Sequence, residues 1–302
     1  MDIQFYNRIT QAVEKEKVYG DKMVEWLYQS ESGKILSNLV CKAPISKLYG
    51  VLQDTAFSQK KIAPFISNFN IPMEDYLPED GRNTQSPYSS FNKFFIRRFK
   101  EGKRSFIENQ NEMAAFSEAR YFGYECVHDD ERVPVKGFYL KPKALVANPK
   151  WEATFQDGPL LLARLCPVDY HRFHYPDDGI VLDDYRVSGM LHSVNPLALK
   201  AKGDILITNE RHVTILETKN FGKLAYIEVG AVCVGKIVQS KPLFKGQSFK
   251  RGEEKGYFLF GGSTVIVVGE KGKWTPSKDM IEYTKKGLET YVHLGMSVAS
   301  KG

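Results

Sequence analysis

Phe260-Gly261-Gly262-Ser263-Thr264 places a hydroxyl directly behind two glycines and ahead of an apolar β-branched run, Val265-Ile266-Val267-Val268. Glycine tolerates backbone conformations closed to other residues, so a tight, strained bond can precede the serine. In such a bond Ser263 Oγ can attack the carbonyl carbon of its own preceding peptide, that of Gly262. Rival chemistry fits the stretch less well. Gly256-x4-Gly261-Gly262-Ser263 has the outline of a phosphate loop, but Gly262 stands where the lysine belongs. Gly261-x-Ser263-x-Val265 lacks the second glycine of a nucleophile elbow. A plain Gly-Gly turn entering a strand is the bland reading, and the pentapeptide alone favours it.

A second cluster is Pro167-Val168-Asp169-Tyr170-His171-Arg172-Phe173-His174-Tyr175-Pro176-Asp177-Asp178-Gly179. Two histidines three apart, with carboxylates on both sides, have the outline of half a metal site. The remaining histidines (His128, His192, His212, His293) are scattered, so no metal is expected. Proton chemistry suits the pair better, because imidazole titrates near neutral pH.

The third cluster runs from Phe91 to Arg104, where six basic residues and four phenylalanines interleave against one acid, Glu101. As a helix it aligns Phe91, Phe94, Phe95 and Arg98. Two readings stand level: an interfacial segment meeting anionic lipid, or a core helix with a solvated basic face. Single-stranded nucleic acid is a weaker partner, since no β-platform surrounds the segment.

These clusters need a scaffold, and 302 residues supply one large or two intimate domains with a full core. The net charge of +6 favours an anionic partner without separating phospholipid from nucleic acid. Cys41, Cys126, Cys166 and Cys233 have neither CxxC nor finger spacing and read as buried thiols in a reducing compartment. Met1-Asp2-Ile3-Gln4 does not open a signal peptide. No apolar run approaches the ~18 residues that a membrane span needs.

Residues 1–110 read as mostly helical. Met23, Trp26 and Leu27 share a face, as do Ile35, Leu36, Leu39 and Val40, and Lys60–Ile66 is a further short helix. From about 113 the pattern turns to strands: 159–166, a hairpin of 204–208 with 213–218, then 224–230, 232–238, the run after Ser263, and finally 290–296. Asn220-Phe221-Gly222 is a turn, and Ser277 caps a short helix that Gly287 stops. The expected fold class is α+β, an N-terminal helical layer packed on a mostly antiparallel β body. The division falls into a membrane-facing helical region (1–110) and a β-rich catalytic region (111–302).

Together the clusters resemble the phosphatidylserine decarboxylase family, in its Gly-Gly-Ser-Thr subgroup. The resemblance is carried by Phe91–Arg98 (with an F-N-x-F-F-x-R pattern), Asp169–His174 (D-Y-H-R-F-H) and Ser193-Val194-Asn195-Pro196. It continues through Glu228-Val229-Gly230-Ala231 with Val234-Gly235, Lys255-Gly256-Tyr257-Phe258, Gly261–Thr264 and Leu294-Gly295. It implies a zymogen that cuts itself between Gly262 and Ser263, leaving a pyruvoyl group made from Ser263 on a 263–302 fragment that stays packed on the rest. That group would form a Schiff base with the amine of phosphatidylserine and act as an electron sink while CO2 leaves, giving phosphatidylethanolamine. By position His174 matches the processing base and His171 the decarboxylation histidine. The implied setting is peripheral, on the cytoplasmic face of the cell membrane, with phosphatidylserine and an anionic surface as partners and no nucleic acid. A homodimer is compatible with it.

One position departs from the family. Its Ser-Pro-x-Asp-Gly motif, whose Asp orients the processing histidine, is here Ser117-Glu118-Ala119-Arg120-Tyr121. A cation stands where the anion should be, and an arginine beside His174 would disfavour the imidazolium. Glu118, about 6.6 Å along an extended strand from Arg120, is the candidate substitute acid, with Asp129 and Asp130 behind it. The alternatives are a processing-impaired lipid-binding relative or a soluble amino-acid decarboxylase.

Overall fold

The computed structural model describes residues 3–17, 50–128, 140–194, 196–231, 236–261 and 263–302. The helical pattern read over 23–40 lies outside them, as do Gly262, Asp129, Asp130, Asn195, Cys41 and Cys233, and Val234-Gly235 with most of the 232–238 strand.

The apolar runs become the centre of a ten-stranded sheet. Leu160–Leu165 and Ser263–Gly269 are buried at every position and lie side by side, Ser263 opposite Leu165 and Val268 opposite Leu160. Strands covered on both faces read as near-continuous apolar sequence, and that is what these are. Outward from Ser263–Gly269 come Gly222–Val229, Arg211–Thr218, Gly179–Val187 and the edge Ser248–Phe249. Outward from Leu160–Leu165 come Ala119–Tyr124, Glu289–Val292, Gln4–Asn7 and Ala12–Lys15. All of these pairs are antiparallel except Gln4–Asn7 with Glu289–Val292.

Strands predominate, with fewer and short helices, so the antiparallel β body stands. The described part of 1–110 is not simply helical. It opens with two four-residue strands that extend the main sheet. Buried Ile3 and Phe5 hold that edge, and a strand so short leaves no periodicity to read. Helix appears at Ile62–Phe69, behind a 3-10 turn over Ala56–Lys61, and at Phe91–Phe95.

Two further expectations change. Residues 205–208 form one helical turn instead of half a hairpin, because the Asp204 carbonyl accepts from both Ile207 and Thr208 N–H. The final strand is two, Glu289–Val292 and Ser297–Lys301, broken at Gly295 with φ +83°. The 220–222 turn does join two paired strands, with Gly222 at φ +68°. Ser277 precedes the helix Lys278–Lys285, and Gly287 follows it at φ +74°. No helix among the described residues is long and apolar enough to cross a membrane.

A three-stranded sheet completes the frame: Ile237–Gln239, Glu254–Phe258 and Arg172–His174, antiparallel in that order. Gly256 is the pinch point. A Cβ there would lie 2.2 Å from the Val238 carbonyl oxygen and 2.7 Å from the Phe173 ring. Gly256→Ala should therefore destabilise the protein by about 1–3 kcal/mol, the usual cost of overpacking, seen as a lowered urea midpoint with unchanged slope.

Candidate active site

Ser263 is the first residue of its strand, fully buried, and its Oγ has no hydrogen-bond partner among the described residues. Buried polar groups are nearly always paired, so an orphaned hydroxyl calls for a reason. Ahead of it Gly261 sits at φ +147°, a backbone region that side chains disfavour. The stretch is anchored by Asn92, whose Oδ1 accepts the Phe260 N–H at 2.8 Å. Asn92 is itself held, its Nδ2 donating to Asp54 at 2.9 Å and its N–H to the Gln53 carbonyl at 3.1 Å.

The two histidines lie on the ladder that leads to this point. Glu254 pairs with His174 and Tyr257 with Arg172, and the Phe258 N–H donates to the His171 carbonyl at 2.9 Å. The ladder therefore runs from His174 towards His171, and its partner strand continues to Phe260 and Ser263. Phe95 bridges the last gap, its ring centroid 3.7 Å from that of His171 and 5.1 Å from that of Phe260. No hydrogen bond joins Ser263 to either imidazole among the described residues.

His171 is fully buried. Its Nδ1 is 3.0 Å from the Asp169 carbonyl oxygen, which can only accept, so Nδ1 carries the proton. Nε2 is then a bare lone pair, buried and without a partner among the described residues. Burial pushes the imidazole pKa down to about 3, with Arg97 adding to the shift and the Asp169 bond opposing it. His174 has the same tautomer: Nδ1–H donates to the Gly252 carbonyl at 2.9 Å, and Nε2 accepts from Tyr170 Oη at 3.3 Å. Burial lowers its pKa as well. Both rings are neutral bases at pH 7.

Glu118 is engaged away from His174. Its carboxylate accepts from Arg104 at 2.8 Å, from Tyr291 Oη at 3.1 Å and from Leu294 N–H at 3.2 Å. His174 has a backbone carbonyl where a carboxylate was sought. Arg120 is engaged away from His174 as well: it binds Asp169 Oδ2 at 2.6 Å and Glu16 at 3.2 Å. The Asp169 side chain also accepts the Cys166 N–H at 2.7 Å, tying the 166–169 loop to itself.

Arginine 120 belongs to a wider buried cluster. Arg120 and Arg164 face each other directly across two strands, and Arg164 faces Thr264 across the next. Like charges so placed repel. Compensation comes from Glu289, 2.7 Å from Arg164 Nε, and from Glu16, 2.6 Å from Arg164 Nη2. Although burial pushes the Glu16 carboxyl up, Arg164 and Arg120 hold it at about 2.

The aromatic basic segment proves to be core. Phe91, Phe94 and Phe95 are buried, and so is Arg97, which stacks over Tyr76 and Phe94 and donates to the Val168 and Asp169 carbonyls at 2.8 and 3.2 Å. Lys93, Arg98 and Lys103 point outward, each beside a carboxylate. Residue-type reading missed the anchoring duties of Asn92, Phe95 and Arg97, although all three sit in the F-N-x-F-F-x-R pattern. The thiols also divide: Cys166 is buried, whereas Cys126 is exposed, because it follows the sheet into a surface turn. There Cys126 meets His128 and Asp157, with His128 Nδ1 2.6 Å from Asp157 Oδ1. That group sits at the opposite end of the central strands from Ser263, beyond the Tyr124–Leu160 pair.

Comparison with known proteins points to one family. The family model described as phosphatidylserine decarboxylase matches residues 91–300. The chain is 40% identical over 300 residues to a phosphatidylserine decarboxylase proenzyme of Clostridium kluyveri, covering 99% of each. It is 38% identical to the proenzyme of Clostridium tetani, covering 99% of this chain and 98% of the relative. It is also 38% identical to that of Desulfitobacterium hafniense, covering 98% and 97%.

The depressed pKa of His171 has a measurable sign. A group that protonates near 6.5 unfolded but near 3 folded stabilises the protein fully above pH 6.5, and that stability is lost as pH falls towards 3. Below pH 6.5 this histidine should remove about 1.4 kcal/mol of stability per pH unit. Urea unfolding at stepped pH should show the loss, with the His171 ring still neutral by 15N NMR at pH 5.

Proposed function

Because the chain belongs to the phosphatidylserine decarboxylase family, we propose that it is a carboxy-lyase releasing CO2 from phosphatidylserine to leave phosphatidylethanolamine, and that its cofactor is a pyruvoyl group made from Ser263. The observation that carries the reading is the buried, unpartnered Ser263 hydroxyl behind a glycine at φ +147°. A serine kept for its hydroxyl as a surface polar group would be solvated, and one kept for packing would be bonded.

Maturation follows from the chain's own atoms. Ser263 Oγ attacks the Gly262 carbonyl carbon and gives its proton to His174, the processing base. The Gly262–Ser263 C–N bond breaks, its nitrogen takes a proton, and an ester remains. Loss of the Ser263 α-proton with breakage of the Cβ–Oγ bond then frees the 1–262 chain as a carboxylate. The dehydroalanine left behind takes up water and releases ammonia, which gives the pyruvoyl terminus of 263–302.

The pyruvoyl group supplies an electron sink for the carbon–carboxylate bond. Around it the protein contributes a dry site and a base. His171 Nε2, neutral and unpaired, holds or returns a proton at the substrate carbon once CO2 has gone. The buried aromatic segment 91–95 packs against both His171 and Phe260. The basic side chains on its outer side suit an anionic lipid surface, which fits an enzyme lying on the cytoplasmic face of the membrane.

A second division of labour is favoured by one observation: the contacts through Phe95 link His171, rather than His174, to Phe260. His171 would then also serve the cutting step. Intact mass separates the two readings. His174→Ala should remain a single 34.4 kDa chain, whereas His171→Ala should be cut yet release no CO2. If His171→Ala stays uncut, His171 serves both steps. Ser263→Ala should stay uncut in every background. A wild-type chain uncut after days at neutral pH overturns the proposal, and CO2 release from free amino acids but not from phosphatidylserine vesicles overturns its substrate.

A further inference from the structure

We propose that Arg120, buried against the Asp169 side chain, is a positioning residue for His171, acting through Asp169. This rests on the reading of His171 as a reaction base. It adds the device that keeps one of its ring nitrogens free.

The chain of contacts is short and buried throughout. Arg120 binds Asp169 Oδ2 at 2.6 Å, and the same oxygen accepts the Cys166 N–H at 2.7 Å. The Asp169 N–H donates back to the Cys166 carbonyl at 2.8 Å, so the loop 166–169 is closed on both sides. With its side chain pinned, Asp169 presents its own carbonyl oxygen to His171 Nδ1 at 3.0 Å. A carbonyl only accepts, so this contact selects the Nδ1–H tautomer and leaves Nε2 as the lone pair. Arg97 Nη2 donates to the same carbonyl at 3.2 Å and fixes it from the other side.

Charge supports the same assignment. Arg120, Asp169 and His171 are all within 6% of full burial, and an unpaired carboxylate at such depth is costly. Burial pushes the Asp169 carboxyl upward and Arg120 opposes it. Without Arg120, Asp169 would keep, among the described residues, only its Cys166 N–H and would protonate or turn towards water, and either change loosens the loop that carries the carbonyl. Glu16, shared by Arg120 and Arg164, and the rings of Phe5 and Tyr291, centred 4.5 and 5.4 Å from the guanidinium carbon, keep Arg120 itself in place. Arg120 thus acts on the loop that carries His171, by way of Asp169, the only acid between residues 169 and 174.

The test uses the full-length Ser263→Ala chain, which stays uncut, with 15N-labelled histidine. The expected spectrum shows His171 as the pure Nδ1–H tautomer. Arg120→Gln in that chain should convert His171 to a tautomer mixture while His174, held by Gly252, is unchanged, and Arg120→Lys should restore most of the original signal. In the Ser263 chain, Arg120→Gln should lower kcat by up to about 10²-fold, the scale expected for a misplaced group, with KM little altered. Should Arg120→Gln fail to fold, Asp169→Asn gives the same readout, since it keeps the side chain's shape and removes the charge. An unchanged His171 tautomer in a folded Arg120→Gln or Asp169→Asn chain overturns the proposal. A tautomer mixture with full CO2 release supports the positioning and overturns the role given to His171 in the reaction, so the two failures are distinguishable.

Discussion

Charges removed from water must be paired, and in this protein that requirement organises the ground around Ser263. Two arginines, Arg120 and Arg164, stand opposite one another in adjacent central strands with almost no solvent. Three carboxylates answer them, from three distant parts of the chain: Glu16, Asp169 and Glu289. The cluster therefore works as a long-range clasp. It ties the N-terminal edge strands to the catalytic sheet and fixes the loop that precedes both histidines. A buried pair of this kind adds little net stability over apolar packing, but breaking one partner is costly. Its value lies in specifying a single arrangement.

A second fully buried pair repeats the logic on the neighbouring layer. Lys255 and Glu228 are 0% exposed and 2.6 Å apart. Gln239 accepts from Lys255 at 3.0 Å and reaches His212, which in turn meets Asp184 at 2.7 Å. This polar chain stitches the three-stranded sheet to the ten-stranded one, so the Arg172–His174 strand, with His171 just ahead of it, is held against the sheet that carries Ser263. Apolar packing alone would tolerate slippage between two such layers. Directional bonds between charged groups do not.

The aromatic segment 91–95 is the third support, and it joins packing to chemistry. Its phenylalanines fill a small core with Phe260 and Tyr170, and Phe95 packs closely against His171 with the two rings tilted by 32°. The same ring that excludes water from the imidazole also locates Phe260. Burial is what depresses the His171 pKa, so the packing of this segment sets the protonation state of the base. A site built this way has its acid–base character determined by side chains that do no proton chemistry.

Much of this was legible in the residues themselves. The apolar strand after Ser263 is a local pattern with a local physical cause and marks the β body, whereas the glycine pair alone reads as a plain turn and points to self-cleavage only through the family resemblance. The phenylalanine content of 91–95 was equally plain, but whether those rings face lipid or core depends on what packs against them, and a helix of five residues has no periodicity to decide it. The N-terminal strands were hidden for the same reason. Arg120 shows the limit most clearly. From its place in the motif it looked like a cation set against His174. Only the fold, bringing residue 169 and residue 16 to the same strand, shows that its charge is used elsewhere. Local sequence determines which groups can react, whereas the partners of a buried charge are long-range contacts and exist only once the chain has closed around them.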